Sequence, residues 1–119
     1  MNTLGDSYEA RAARWLRDRG QQILARNFRA KSGEIDIITL EQHCLVFVEV
    51  KARNNQRFGG AAITVDRHKQ RRIVRTAQYY LQRHPHYRNM PCRFDVIAFE
   101  PPQSPGEREV RWIRAAFSA

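Results

Sequence analysis

Three short runs, IDII at 35–38, VFVEV at 46–50 and FDVIAF at 94–99, are too continuously apolar to be strands with one face in water. Such strands need cover on both sides of a sheet, and two segments have the periodicity to supply it. A first helix is expected from about Ser7 to Arg19, capped by Asp6, stopped by Gly20, and turning Ala12, Trp15 and Leu16 inward. A second is expected from Asp66 or Arg67 to about Arg83, with Ile73, Ala77, Tyr80 and Leu81 as its buried stripe and Pro85 near its end. The fold class that follows is α/β, a central mixed β-sheet flanked by α-helices.

The remaining segments fill in the order. QQILARNF reads as a strand, Gly33 introduces a second, EIDIITL, and a short EQH turn containing His43 leads to a third, CLVFVEVKA. The close succession of the last two predicts an antiparallel hairpin. RNNQRFGGAAIT, about 53–64, reads as a polar, basic loop made flexible by Gly59 and Gly60. HPHYRNMP is a connection, CRFDVIAF a strand, PPQSPGE a loop whose prolines exclude regular structure, and VRWIRAAF a final strand or short helix. All 119 residues suit one domain, 1–119, with a single core.

Charge narrows the partners. Lys plus Arg number 21 against 12 Asp plus Glu, a formal net charge of +9 carried overwhelmingly by arginine. The guanidinium fork matches phosphate oxygens and stacks on bases, so nucleic acid is the expected partner. No long apolar helix or lipidation signal points to a membrane. The opening MNTLGDSYEARAARWL does not read as a secretory peptide, and Cys44 and Cys92 form no zinc motif, so a reducing, cytoplasmic location is expected.

The acids inside the apolar runs are the chemical anomaly. Period-two alternation puts Val46, Val48 and Val50 on one face of the third strand and Leu45, Phe47, Glu49 and Lys51 on the other. In the second strand Asp36 is expected to share a face with Glu34 and Ile38, opposite Ile35 and Ile37. Within the hairpin Asp36 then stands beside Glu49, two oxygen ligands of the kind Mg²⁺ or Mn²⁺ takes, with Lys51 next to them to orient water or neutralise a phosphate. The competing reading is structural, a Glu49–Lys51 ion pair at the sheet edge with Asp36 facing solvent.

The strings GEIDII and VFVEVKAR, together with YEARAARWLRDRG, RFGGAAITVDRHKQRRI and RFDVIAF, resemble the bacterial YraN-like family. That family is similar to archaeal Holliday junction resolvases and other nucleases of the PD-(D/E)xK superfamily. The resemblance implies a restriction-endonuclease-like fold and a divalent metal held by Asp36, Glu49 and the backbone carbonyl of Val50, with Lys51 as the catalytic lysine. Glu9 matches the helix glutamate that completes the acidic cluster in resolvase-like members, and the resolvases' two-fold symmetry implies a homodimer. Ile35 stands where the name-giving pattern has proline. No QxxxY element follows Lys51, which argues against a RecB-like exonuclease.

Other residues have two readings each. Glu9 is three residues after Asp6, the spacing of a capping box, so a cap competes with a place at the metal. Lys69 can reach substrate phosphate or lie on a solvated helix face. Arg67, Arg71, Arg72 and Arg75 form a candidate backbone-binding stripe. Arg53 and Arg57 border Lys51 in a loop that is either a nucleic-acid clamp or a plain connector, with Phe58 anchoring it. Asp95 is expected to pair with Arg93 or with a basic group on a neighbouring element, and the four histidines form no ligand cluster. Three functions compete: a metal-dependent endonuclease acting on branched or structured DNA, a non-catalytic nucleic-acid-binding protein, and an adaptor for an acidic protein.

Overall fold

Helix α1 (Tyr8–Asp18) starts where a hydroxyl can satisfy its free amides: Ser7 Oγ accepts from the Ala10 N–H at 3.0 Å. The cap is therefore Ser7 rather than Asp6. The computed structural model describes residues 7–52, 65–100 and 109–119, so Asp6 and the 53–64 loop lie outside the described residues. The helix ends as expected, with Gly20 adopting a left-handed φ of 91°.

Five strands follow: β1 (Gln22–Ala30), β2 (Gly33–Glu41), β3 (Cys44–Ala52), β4 (Cys92–Phe99) and β5 (Val110–Phe117). They form one sheet in the order β1-β2-β3-β4-β5, with β3 and β4 parallel and the other neighbours antiparallel. The parallel step requires a crossover, and helix α2 (Arg67–Arg83) lies in it, between β3 and β4. VRWIRAAF thus takes the strand option, and the HPHYRNMP connection contains a 3₁₀ turn at Pro85–Tyr87.

The apolar cover divides as the two-helix argument requires. Ile35, Ile38, Leu45, Phe47, Phe94 and Val96 pack under α2 with Ile73, Ala77 and Tyr80. Val46, Val48, Ile37, Ile97 and Phe99 pack with Ala12, Ala13 and Leu16 of α1. Trp15 of α1 meets Trp112 of β5 edge-on, with ring centroids 5.5 Å apart.

One expected face is overturned. Ile35 and Ile37 lie in different clusters, because β2 does not keep strict alternation around Asp36. Across from that point on β1, between the pairs Arg26↔Ile37 and Phe28↔Ile35, Asn27 has a φ of 55°. The β1–β2 register is kept there, its one shift falling between Ile23 and Ala25.

Asp95 is fully buried, and its partners explain its presence in a core strand. Its carboxylate accepts from Arg93 Nε and Nη2, from Trp112 Nε1 and from the Ala115 N–H, all at 2.9 Å. Ala115 has a left-handed φ of 51° beside the register shift between Phe94 and Val96, so the acid satisfies an amide that the irregular β4–β5 ladder releases.

Candidate metal and nucleic-acid site

The β2–β3 ladder runs from Glu41↔Cys44 to Ile37↔Val48. Just beyond it the Val50 N–H donates to Asp36 Oδ2 at 2.8 Å, so a carboxylate fills the opening between the strands. Continued one residue past the ladder, the register brings Glu49 across from Asp36, where its charge acts on the Asp36 carboxyl. The oxygens of Glu9, Glu34 and Asp36 all lie within 4.8 Å of one another, the one acidic or metal-ligating cluster of this kind among the described residues. Gly33, Glu34, Asp36 and Glu49 line one side of a cavity of about 230 Å³, and Lys69, Arg72 and Ile73 of α2 line the other.

Crowding of anions has an electrostatic cost that shows on Asp36. Its carboxyl is pushed from the ordinary 3.8 up to about 7. Burial is the leading cause, the Glu49 charge the next, and Glu9 adds to them; the Val50 amide pulls the other way. Glu49 is the more enclosed partner, only 5% exposed.

Lys69 meets Glu49 through an Nζ–Oε2 ion pair. Lys69 is in the first turn of α2, where Asp66 caps the helix by accepting from the Lys69 N–H at 2.8 Å. That bond holds the Asp66 carboxyl below its usual range, with His68 and Lys51 adding positive charge nearby. Lys51 is the penultimate residue of β3, half-buried and in register with Ala98 of β4. Val50 is engaged through its N–H, and its side chain packs with the α1 cluster.

Glu9 is not a capping-box residue, because with Ser7 as the cap it falls one position short of the required third place. Its carboxylate turns to the acid cluster and to Arg26 Nη2, 3.7 Å away. Glu34 was not singled out by sequence reasoning, although its two-residue spacing from Asp36 was the available signal.

The arginine stripe divides. Arg67, Arg71 and Arg75 line a groove of about 740 Å³ with Gln70, Val74, Gln78 and the end of β5 at Phe117. Arg72 turns instead toward the acids and donates from Nε to the Ser32 carbonyl at 3.1 Å. The turn between β1 and β2 is fastened there a second time, by Ser32 Oγ against Thr76 Oγ1 at 2.7 Å, while Thr76 Oγ1 donates to the Arg72 carbonyl at 2.9 Å. Arg53 and Arg57, and Phe58 with them, lie outside the described residues. His84 stacks on Tyr80, and His86 meets Tyr87 at a tilt of 43°, each pair with centroids 4.0 Å apart.

The model of the uncharacterised protein family UPF0102 matches residues 8–99. A UPF0102 protein of Alcanivorax borkumensis is 49% identical over 113 residues, covering 95% of this chain and 90% of its own length. One of Methylobacillus flagellatus is 41% identical over the whole of both chains. The UPF0102 protein YraN of Escherichia coli is 43% identical over 96% of this chain and 83% of its own.

Proposed function

The chain belongs to the UPF0102 family, and from that premise we propose that it is a metal-dependent endonuclease hydrolysing phosphodiester bonds in branched or otherwise structured DNA. Its mixed sheet is read as the restriction-endonuclease-like arrangement, acting in the cytoplasm. The observation that carries this is the single cavity in which Asp36, Glu49 and Glu34 face Lys69 and Arg72.

The donor set suits a hard divalent cation. It consists of carboxylate oxygens gathered around a buried acid: burial first and the Glu49 charge second raise Asp36 to about 7, and Mg²⁺ or Mn²⁺ would offset both. When bound, such an ion supplies Lewis acidity toward the phosphodiester and a more acidic water. Asp36 and Glu49 would hold it, with Glu9, Glu34 and the Val50 carbonyl completing the shell. The other residues work on the substrate. Arg72, fixed to the Ser32 carbonyl, presents its guanidinium at the cavity rim, where a non-bridging phosphate oxygen would arrive. Lys51 supplies positive charge at the strand end, to orient the nucleophile or offset charge on the phosphorane. Arg67, Arg71 and Arg75, with Arg53 and Arg57, hold flanking backbone phosphates. A two-fold homodimer would present two such centres to a branched substrate.

A non-catalytic DNA-binding role is favoured by one observation, that the Arg67–Arg71–Arg75 groove is lined by none of the acids. The deciding assay offers labelled single-stranded, duplex, flap, gapped and four-way DNA with Mg²⁺ or Mn²⁺ to wild type, Glu49→Ala and Lys51→Ala. Metal-dependent cutting of one structure, lost in both variants, is the expected result. Binding without cutting would replace the nuclease reading with the non-catalytic one.

A further inference from the structure

We propose that Lys69 is a built-in substitute for the metal: its ammonium occupies the cation position against Glu49 until a divalent ion displaces it. The inference rests on the metal-site reading above and goes beyond it by assigning a competitor.

The placement of Lys69 runs against local preference. A helix N-terminus carries partial positive charge and favours acids, yet the first turn of α2 has no acid and brings Arg67, His68 and Lys69 together. The cationic side chain gains from that position through its tertiary partner, a carboxylate that is only 6% exposed and crowded by another acid. Lys69 itself is 48% exposed, on a flexible four-carbon stem, so its head can swing into solvent. Its backbone stays in place when that happens, because the N–H remains bonded to Asp66. Arg72, one turn on, is held by the Ser32 carbonyl and is not equally mobile. The ammonium therefore neutralises Glu49 in the metal-free protein and leaves when an ion with more charge and more ligand oxygens arrives. Once released at the cavity rim, it is placed to meet the substrate phosphate.

The consequence is a tax on metal affinity. Removing the competitor should tighten metal binding, whereas removing an ordinary site-supporting contact should weaken it. The test measures Mn²⁺ binding to the full chain by calorimetry, without nucleic acid, for wild type, Lys69→Met, Lys69→Gln, Lys69→Arg and Glu49→Gln, each checked for folding by circular dichroism. Lys69→Met and Lys69→Gln should bind Mn²⁺ roughly tenfold more tightly, equivalent to about 1.4 kcal/mol. Lys69→Arg should stay near wild type, and Glu49→Gln should bind weakly. Unchanged or weakened affinity in both neutral variants, with binding still lost in Glu49→Gln, would overturn the exchange and leave the metal site standing. No Mn²⁺ binding by any variant would overturn the metal reading and the exchange together.

Discussion

Replacing Asp36 by asparagine should stabilise the metal-free protein at pH 8 and change little at pH 4. The folded carboxyl titrates at about 7 and the unfolded one near 3.8, so between those values the native state binds the extra proton. Stability of the wild type therefore falls as pH rises through that window and levels off above it. At about 1.36 kcal/mol per pKa unit the full penalty is roughly 4 kcal/mol. The cavity is open to solvent, and screening reduces this to about 2 kcal/mol. Asparagine removes the charge but retains a carbonyl oxygen for the Val50 N–H. For a domain of this size, 2 kcal/mol corresponds to about 8 °C in melting temperature. Thermal melts of both proteins from pH 4 to pH 8 in a chelator would show the gap opening with pH. A variant melting at or below wild type at pH 8, or a gap independent of pH, would refute the electrostatic account of Asp36.

Other perturbations address the fold and the groove. Asp95→Ala should cost about 3–5 kcal/mol in urea unfolding, because Arg93 loses a buried partner and the Trp112 and Ala115 donors are orphaned. Leu16→Ala, emptying a fully buried position under α1, should cost about 2–5 kcal/mol in the same assay. Changing Arg67, Arg71 and Arg75 to glutamine should weaken DNA binding across sequences and lower the salt slope of log K by about 2–3, read by fluorescence anisotropy at several salt concentrations.

The strands and helices were legible because their signals are local. Alternation in β3 correctly separated Val46, Val48 and Val50 from Leu45, Phe47 and Glu49, and the register brought Asp36 to Glu49 as the hairpin required. Alternation failed in β2, where Ile35 and Ile37 pack into different clusters, because a local departure from the pleat leaves the apolar pattern of the sequence unchanged. The meeting of Lys69 with Glu49 was hidden for a related reason: helical spacing gives a residue's angular position, but the seat of α2 over β2 decides which acid it reaches. Arg93 as the partner of Asp95 was readable from adjacency, whereas Trp112 and the Ala115 amide are 17 and 20 residues away.

The double fastening of the β1–β2 turn to the middle of α2 gives the site a gauge. Ser32 and Thr76 contribute no ligand, yet their bond and the Arg72–Ser32 bond set how far the acid-bearing strand stands from the helix carrying Lys69 and Arg72. Gly33 keeps that spacing honest, since its φ of 151° strains any larger residue. The gap between anions and cations is thus calibrated by a hinge of small side chains, and a methyl group added or a hydroxyl removed there would retune the aperture without touching its chemistry.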